Sequence, residues 1–513
     1  MAYDLSPFQP ISLTEALLDH LIAEHEAVRL PSLQRLWGYY RNALAEPDGF
    51  GGSNGAPAQA VGLPPRLAGR RRPGQDDRIR RETVIENDIA WRIHTLVDFM
   101  IPEAPKLISK AADPRLRGEI EPLLEAIISA NGGVALWQNA ALLASVYGSV
   151  EFLLNCDGLS SLRRSDAASP ATSRPRPDQP GAVPSKPSVL DLAARAAPHM
   201  SIETVEAPRA IPLLNRSDFR RLDAYILHYR QPVNDVKRPT MFSRLSHNII
   251  GRKALPTQRA FVTVTEIRSA THAQRYEDGR LVMESVNRLG RLPVVHIQNL
   301  SQPFIFDGLS DVEPLIPLQD ELNTRVSDRA NRVTMQSFRM WLGKGIDGFT
   351  DRPIGPGQMW VTDNLDASIE SFGGDADSPS EKAHIEELRE AMDKASGVTP
   401  AAAGHIQARI GNLTSENALR ISLMGTIAKT KRKRITYGSG IRALCELILQ
   451  ALDVYGIYRT KSSDRTVEVV WSDPLPPDVS RRIDDALAKA QLGVPLSTLR
   501  AELGYPDIAA DAQ

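Results

Sequence analysis

Apolar residues recur at spacings of three and four along several stretches of the chain, which places them on one face of an α-helix. Residues 12–45 carry that pattern twice, in LTEALLDHLIAEHEAVRL and in LQRLWGYYRNAL. It lapses through GFGGSNGAPAQAVGLPPRLAGRRRPG, so residues 46–77 are expected to form a flexible loop. From about Arg81 the helical period resumes with Val84, Ile89, Ile93, Leu96, Val97 and Met100, until Pro102 stops it. YGSVEFLLNCDG reads as a buried strand, and residues 160–188, with six prolines among Ser, Ala and Arg, as a disordered or surface-wrapped insertion.

The period then shortens to two. FVTVTEIRS and QRYEDGRLVM predict strands, the second folded into a hairpin at Asp278-Gly279. Ser310 and Glu313 predict a capped first turn, and Pro317 is expected to break it. A helix follows from about 318 to 338, with Leu318, Leu322, Val326, Ala330 and Val333 along one face. Residues 340–377 read as short strands and turns. Ser378, Pro379 and Glu381 open another helix that carries Ile385, Leu388, Met392 and Ala395, and Gly397 and Pro400 end it.

After GVTPAAAGHIQARIGNLTSENALRISL, Thr414 or Ser415 is expected to cap a last helix, with Glu416 in its first turn. It reaches about Tyr455, a length of about 60 Å at 1.5 Å per residue, and Gly438-Ser439-Gly440 is expected to kink it. The strand TVEVVW, a proline-rich turn and a small helical tail close the chain.

Composition narrows the classes. At 513 residues, with 42% hydrophobic and 24% charged content, the chain predicts a globular protein of several structural units. No run approaches 18 consecutive apolar residues, and the N-terminal stretch lacks the layout of a secretory signal, so neither membrane insertion nor export is expected. Cys156 and Cys445 predict free thiols. With 61 Lys and Arg against 62 Asp and Glu, the total shows none of the basic excess that advertises tight DNA binding.

Catalytic signatures are few as well: no G-x-x-x-x-G-K-[ST] and no H-E-x-x-H occurs. His20 and His25, five apart, do not match a helical metal pair. Hence no enzyme, cofactor or metal site is expected.

Several short patterns stand in a fixed order. They are RLWGYYRN, ENDIAWRIHTLVDFMIPEAPKLI, YGSVEFLL, RYEDGRLVMESVNRLGRLPVVHIQN, GLSDVEPLIPLQDELNTRVSDRANRV, GNLTSENALRISL, and VVWSDPLPPDVS with LGVPLSTLRAELGYPD after it. Over roughly residues 33–507 this series resembles the portal proteins of tailed bacteriophages, of the long-tailed type. The resemblance implies an α+β portal fold with an α/β wing, a stem of two helices, a β-containing clip, a long kinked helix and a short helical crown. It would lay these out as wing 1–305 (flexible at 46–77 and 160–188), first stem helix 306–339, clip 340–377 and second stem helix 378–397. A tunnel loop at 398–414, the long helix at 415–456, a wing strand at 457–475 and the crown at 476–513 would follow.

The same resemblance implies a dodecameric homo-oligomer at the capsid portal vertex of a virion, assembled in the host cytoplasm. Double-stranded DNA would pass the channel, and the terminase large subunit, a head–tail adaptor, and major capsid and scaffolding protein would be partners; no membrane is involved. His405, Gln407, Arg409 and Asn412 would face DNA from the tunnel loop, although an ordinary linker reads similarly. Arg325, Arg329 and Arg332 share a helix face and, with Lys344, Lys429 and Lys431, would serve the channel or the subunit interface. Trp341 and Trp360 are expected clip contacts, or core residues. KTKRKR (429–434) covers more than one and a half turns and cannot face one side only, so it is solvated, bridges subunits or touches DNA. Arg70 to Arg72 read as a solvated arm.

Two other readings remain open on the sequence. A soluble enzyme of unknown class predicts a monomeric mass. A nucleic-acid-binding regulator using 429–434 predicts tight, salt-dependent binding by isolated chains.

Overall fold

The computed structural model describes residues 3–43, 57–67, 82–160, 162, 188–232, 261–337, 340–345, 364–372, 379–403, 420–475 and 479–503. In chain order the helices are α1 (Glu15–Glu24), α2 (Leu30–Arg41), α3 (Asp88–Met100), α4 (Pro114–Ala130), α5 (Val134–Tyr147), α6 (Val189–Ala196), α7 (Ile316–Ser337), α8 (Pro379–Ser396), α9 (Met424–Val454), α10 (Val479–Gln491) and α11 (Leu496–Leu503). The strands are β1 (Lys106–Ser109), β2 (Ser149–Asn155), β3 (Ser201–Val205), β4 (Ala210–Leu214), β5 (Leu222–Pro232), β6 (Phe261–Ser269), β7 (His272–Glu277), β8 (Arg280–Val286), β9 (Val294–Gln298), β10 (Met340–Lys344), β11 (Ser368–Phe372) and β12 (Val467–Val470). The chain divides into two compact units. One comprises 1–94, 140–153 and 203–398, the other 95–139, 154–202 and 399–513.

In the first unit, β4 to β8 form an antiparallel sheet in sequence order. Its two faces bury alternate side chains, as the pleat requires. Ile226, paired in register with Ile267, faces Phe8, Leu13 and Leu18 from the N-terminal segment. Tyr225 and Leu227 face the other way, onto Leu153 of β2, which pairs antiparallel with β9. Asp278 and Gly279 hold φ at +47° and +75°, the left-handed pair of a tight hairpin turn, so the expected hairpin forms there.

A separate core joins α2 (Leu33, Leu36, Tyr39), α3 (Ile89, Ile93), α7 (Ile316, Leu322) and α8 (Ile385, Met392). Here the structure departs from the sequence expectations in four ways. Pro317 does not break the helix: it lies in the first turn of α7, where its missing N–H needs no partner, and a 3-10 turn at Glu313–Leu315 leads in. Val333 is 41% exposed, and the fully buried positions of α7 include the polar Gln319, Asn323 and Ser327. On α8, Ser396 is buried where Ala395 was expected. Finally, α3 begins at Asp88 rather than near Arg81, because residues 82–87 form no helix and are held instead by side chains of α7.

That segment lies along α7, antiparallel to it. An extended chain advances about 6.6 Å per two residues and an α-helix about 6.0 Å per four. Backbone groups of Glu82, Val84, Glu86 and Asp88 can therefore meet side chains at Asn331, Ser327, Asn323 and Gln319 in turn. Seven hydrogen bonds between 2.5 and 3.1 Å realise this match. The mismatch accumulates to about 2 Å over three repeats, and the longer Gln319 stands at the end where more reach is needed.

Residues 57–67 also differ from the flexible loop expected over 46–77. A 3-10 turn at Ala58–Gly62 places Gln59 in the interior, where its amide donates to the Tyr39 carbonyl at 2.7 Å and to Asn87 Oδ1 at 2.9 Å. Asn323 Nδ2 donates to Gln59 Oε1 at 3.0 Å, so this glutamine joins the ladder on α7 to the end of α2.

In the second unit, β1 pairs antiparallel with β12, a partnership whose four-residue β1 carries no strand signal of its own. α9 is 31 residues long, about 46 Å at 1.5 Å per residue, shorter than the 60 Å expected, because a turn at Leu423 precedes it. No break interrupts it at Gly438-Ser439-Gly440, and Gly438 stands against the Trp471 indole. Its C-terminal half is buried on most sides, with Leu444, Cys445, Leu447, Ile448, Leu449, Ala451 and Leu452 all fully covered. Ser188 and Asp191 form a reciprocal capping box on α6.

Candidate channel and subunit-interface residues

α7 and α8 run antiparallel, and charges stitch them together outside their apolar seam. Arg332 pairs with Glu381, so the expected capping residue of α8 is committed to an ion pair. Glu321 accepts from Arg325 at 2.6 Å and lies 3.7 Å from His384. Arg66 holds Asp328 at 2.7 Å, and Arg325 reaches the same carboxylate at 3.8 Å. Arg389 Nη2 meets both oxygens of Glu86, at 2.9 and 2.7 Å. Arg92, 1% exposed, bridges Asp88 at 3.2 Å and Asp393 at 2.5 Å and lies over the Trp91 ring. Burial pushes the Asp393 carboxyl up, against the pull of that guanidinium.

Of the three arginines expected to share a face, two are thus neutralised within the chain. Arg329 alone of the three is exposed and has no partner among the described residues. It lies on roughly the opposite side of α7 from the amide ladder, two residues and about 200° from Ser327.

β10 and β11 pair antiparallel, with Trp341 opposite Ser371 in the register. Lys344, at the end of β10, is exposed, and Asn364 closes the base of this hairpin by donating to the Gly345 carbonyl at 3.0 Å.

The KTKRKR run splits by helix geometry. Lys431 and Arg432 are exposed, Lys429 is half-buried, and Lys433 is 1% exposed. Arg434 turns inward, donating to the carbonyls of Phe99 and Met100 at the C-terminus of α3 at 2.9–3.1 Å and lying 5.3 Å from the Trp471 ring centroid. A cation there offsets the negative end of the α3 dipole and satisfies carbonyls that no further turn can reach. Burial draws the Arg434 pKa down.

His405, Gln407, Arg409, Asn412, Trp360, the Arg70–Arg72 cluster, Ser378, Thr414–Glu416 and nearly all of 160–188 lie outside the described residues. The structure therefore brings Arg332 to Glu381 of α8, keeps Arg325 among Glu321 and Asp328 of α7 itself, and sets Trp341 and Lys344 on one hairpin. The positioning residues that sequence reasoning missed are Gln59, Gln319, Asn323, Ser327 and Asn331. The four on α7 carry a signal, a run of amides and a hydroxyl at a strict spacing of four.

Cys156 and Cys445 are buried free thiols. Among the described residues no group of His, Cys, Asp and Glu could hold a metal ion, and no helix is long and apolar enough to cross a membrane.

No curated protein sequence matches the chain. Solved structures similar to it include a chain of the virion of a native gene transfer agent (GTA) particle, with TM-score 0.43 and 10% identity over 81% of this chain and 89% of that one. The neck of an empty GTA particle, computed with C6 symmetry, gives 0.42 and 11% over the same shares, and the neck of a native GTA particle, computed with C12 symmetry, gives 0.41 and 11%. A sequence profile described as "Phage portal protein, SPP1 Gp6-like" matches residues 193–507, which include α7, the β10–β11 hairpin, α8 and α9. That match spans more than half of the chain, and the chain belongs to the SPP1 Gp6-like phage portal protein family.

Proposed function

We propose that twelve copies of this chain close a ring at one capsid vertex, around an axial channel that double-stranded DNA enters during packaging and leaves at ejection. The observation that carries this reading is the family match over 193–507. In it, α7 and α8 are the stem, residues 340–377 the clip, 398–414 the tunnel loop, α9 the long wing and crown helix, and α10 with α11 the crown. The remainder is wing. The role is structural, and energy for DNA movement comes from a separate motor.

The terminase large subunit docks at the clip during packaging and a head–tail adaptor afterwards, with Trp341 and Trp360 as apolar anchors. Major capsid and scaffolding protein meet the outer wing. Assembly takes place in the host cytoplasm and the ring remains in the virion. His405, Gln407, Arg409 and Asn412 line the narrowest point, where small and polar residues suit contacts that must exchange as DNA slides. Arg329, without a partner among the described residues, is the stem cation best placed to serve the channel or a neighbour. Lys344, Lys429 and Lys431 belong to the same class of surface.

Negative-stain images of the purified protein are expected to show rings with a central hole and a mass of twelve chains; a persistent monomer overturns the reading. Deleting residues 402–410 is expected to leave rings intact and block packaging. Normal packaging by that variant would remove the tunnel-loop assignment alone.

A further inference from the structure

A closed ring of identical chains needs two different patches on each copy, since one neighbour is met with one patch and the other neighbour with the second. In the first unit, exposed large apolar side chains concentrate in two places. One is the connection between β9 and α7, where Phe304 is 87% exposed, with Ile305 and Leu309 also exposed. Phe304 holds φ at +66°, a left-handed conformation uncommon for a bulky aromatic residue.

The base of this loop is nonetheless locked. Gln298 Nε2 donates to the carbonyls of Ile305 and Phe306 at 2.9 and 2.8 Å. His296 Nε2 lies 2.9 Å from the Phe306 carbonyl oxygen, and its ring stacks on Phe306 with centroids 3.8 Å apart. Arg29 holds Asp307 at 2.8 Å. An aromatic tip kept outward on a rigid base is preorganised, which is what a binding anchor requires.

The second place is β8, the outer strand of its sheet, which exposes Leu281, Val282, Met283 and Val286 within seven residues. An apolar edge strand of this length attracts another chain unless something covers it. The charges at the two places are complementary. Arg280 and Arg288, at either end of β8, are exposed and have no side-chain partner among the described residues, and the same holds for Glu313 at the α7 end of the Phe304 connection.

We propose that the Phe304–Ile305 loop of one copy seats on β8 of the next copy, with Glu313 set against the strand that Arg280 and Arg288 flank, as the head-to-tail contact that closes the wing. This rests on the ring reading and names the surfaces that meet.

The test places Ile305→Cys and Val282→Cys in one full-length chain. Cys156 and Cys445 are buried, and burial pushes the Cys445 thiol up to about 12, so the introduced thiols react first. Oxidising the assembled protein with copper phenanthroline is expected to give a reducible covalent ladder of many chains, while either single variant stops at two. Rings in the microscope with no ladder beyond two chains overturn the contact and leave the ring standing. A wild-type chain that never forms rings defeats both. Independently, Arg280→Glu with Arg288→Glu is expected to raise the concentration needed for assembly about tenfold, and adding Glu313→Arg to recover most of it. Assembly indifferent to these reversals removes the pairing.

Discussion

Where β2 begins, the backbone turns through Gly148 at φ +94°, and a Cβ there would lie 2.4 Å from the carbonyl oxygen of Gly308. A Cβ on Gly308 would lie 2.5 Å from the Gly148 oxygen, so two backbones meet where neither can carry a side chain. Gly148→Ala combines that clash with a disfavoured φ and is expected to lower stability by about 3 kcal/mol, read from the urea midpoint. A loss under about 1 kcal/mol would mean that the two backbone segments part easily. The histidines behind the π-helical turn at His25–Arg29 set a pH limit. His25 Nε2 lies 2.9 Å from the Pro208 carbonyl oxygen, and His228 Nδ1 lies 3.0 Å from Thr265 Oγ1, with Glu26 3.4 Å from its other nitrogen. Burial pulls both pKa values below the ordinary 6.5. The unfolded chain therefore binds these protons more readily than the folded one, so their stabilising effect is whole above about pH 6.5 and declines as pH falls through it. The melting temperature is expected to drop between pH 7 and pH 5, and the His25→Gln, His228→Gln double variant to flatten that slope. An unchanged slope in the variant would assign the acid sensitivity elsewhere.

Among elements, α7 shows where the chain is legible and where it is not. The hairpin at Asp278-Gly279, the buried β2 and the end of α8 at Gly397 follow from local chemistry: a left-handed pair, an apolar run, a left-handed glycine. The start of α3 was misplaced because Val84 sits five residues before Ile89, close enough to a helical step, while the force that keeps it out of the helix lies more than 240 residues away on Ser327. Side-chain-to-backbone bonds between distant segments leave no local period, and Gly/Pro-rich composition around Gln59 hides its burial. The stem arginines looked equivalent by spacing; only the positions of Glu321, Asp328 and Glu381 distinguish them. Asn323→Ala strands the Glu86 amide and Gln59 Oε1 in the interior and is expected to cost about 2–3 kcal/mol. Asn331→Ala, at the wetter end of the ladder, is expected to cost about 0.5–1 kcal/mol. Equal losses at the two positions would show that burial does not grade the ladder.

For the whole molecule, the order of short motifs carried the family, because each is weak and their sequence along the chain is not. The boundaries inside the proposed ring are less legible, since they depend on neighbours that no single chain contains. Near-zero net charge, 61 Lys and Arg against 62 Asp and Glu, gives no basic excess to drive phosphate binding. Isolated chains are expected to bind duplex DNA weakly, losing affinity with salt at a log–log slope shallower than about 2. A slope of about 6 or more in a salt titration would favour the regulator reading instead.

The amide ladder also writes a signature in solvent-exchange time. Residues 82–87 belong to no sheet or helix, yet the N–H groups of Glu82, Val84, Glu86 and Asp88 are each held by a side chain of α7. Deuterium should therefore enter this stretch slowly at every second residue, with the deepest retention at Asp88 and Glu86. Such an alternating trace, in a segment without regular structure, would follow the opening of α7 from its seat in real time.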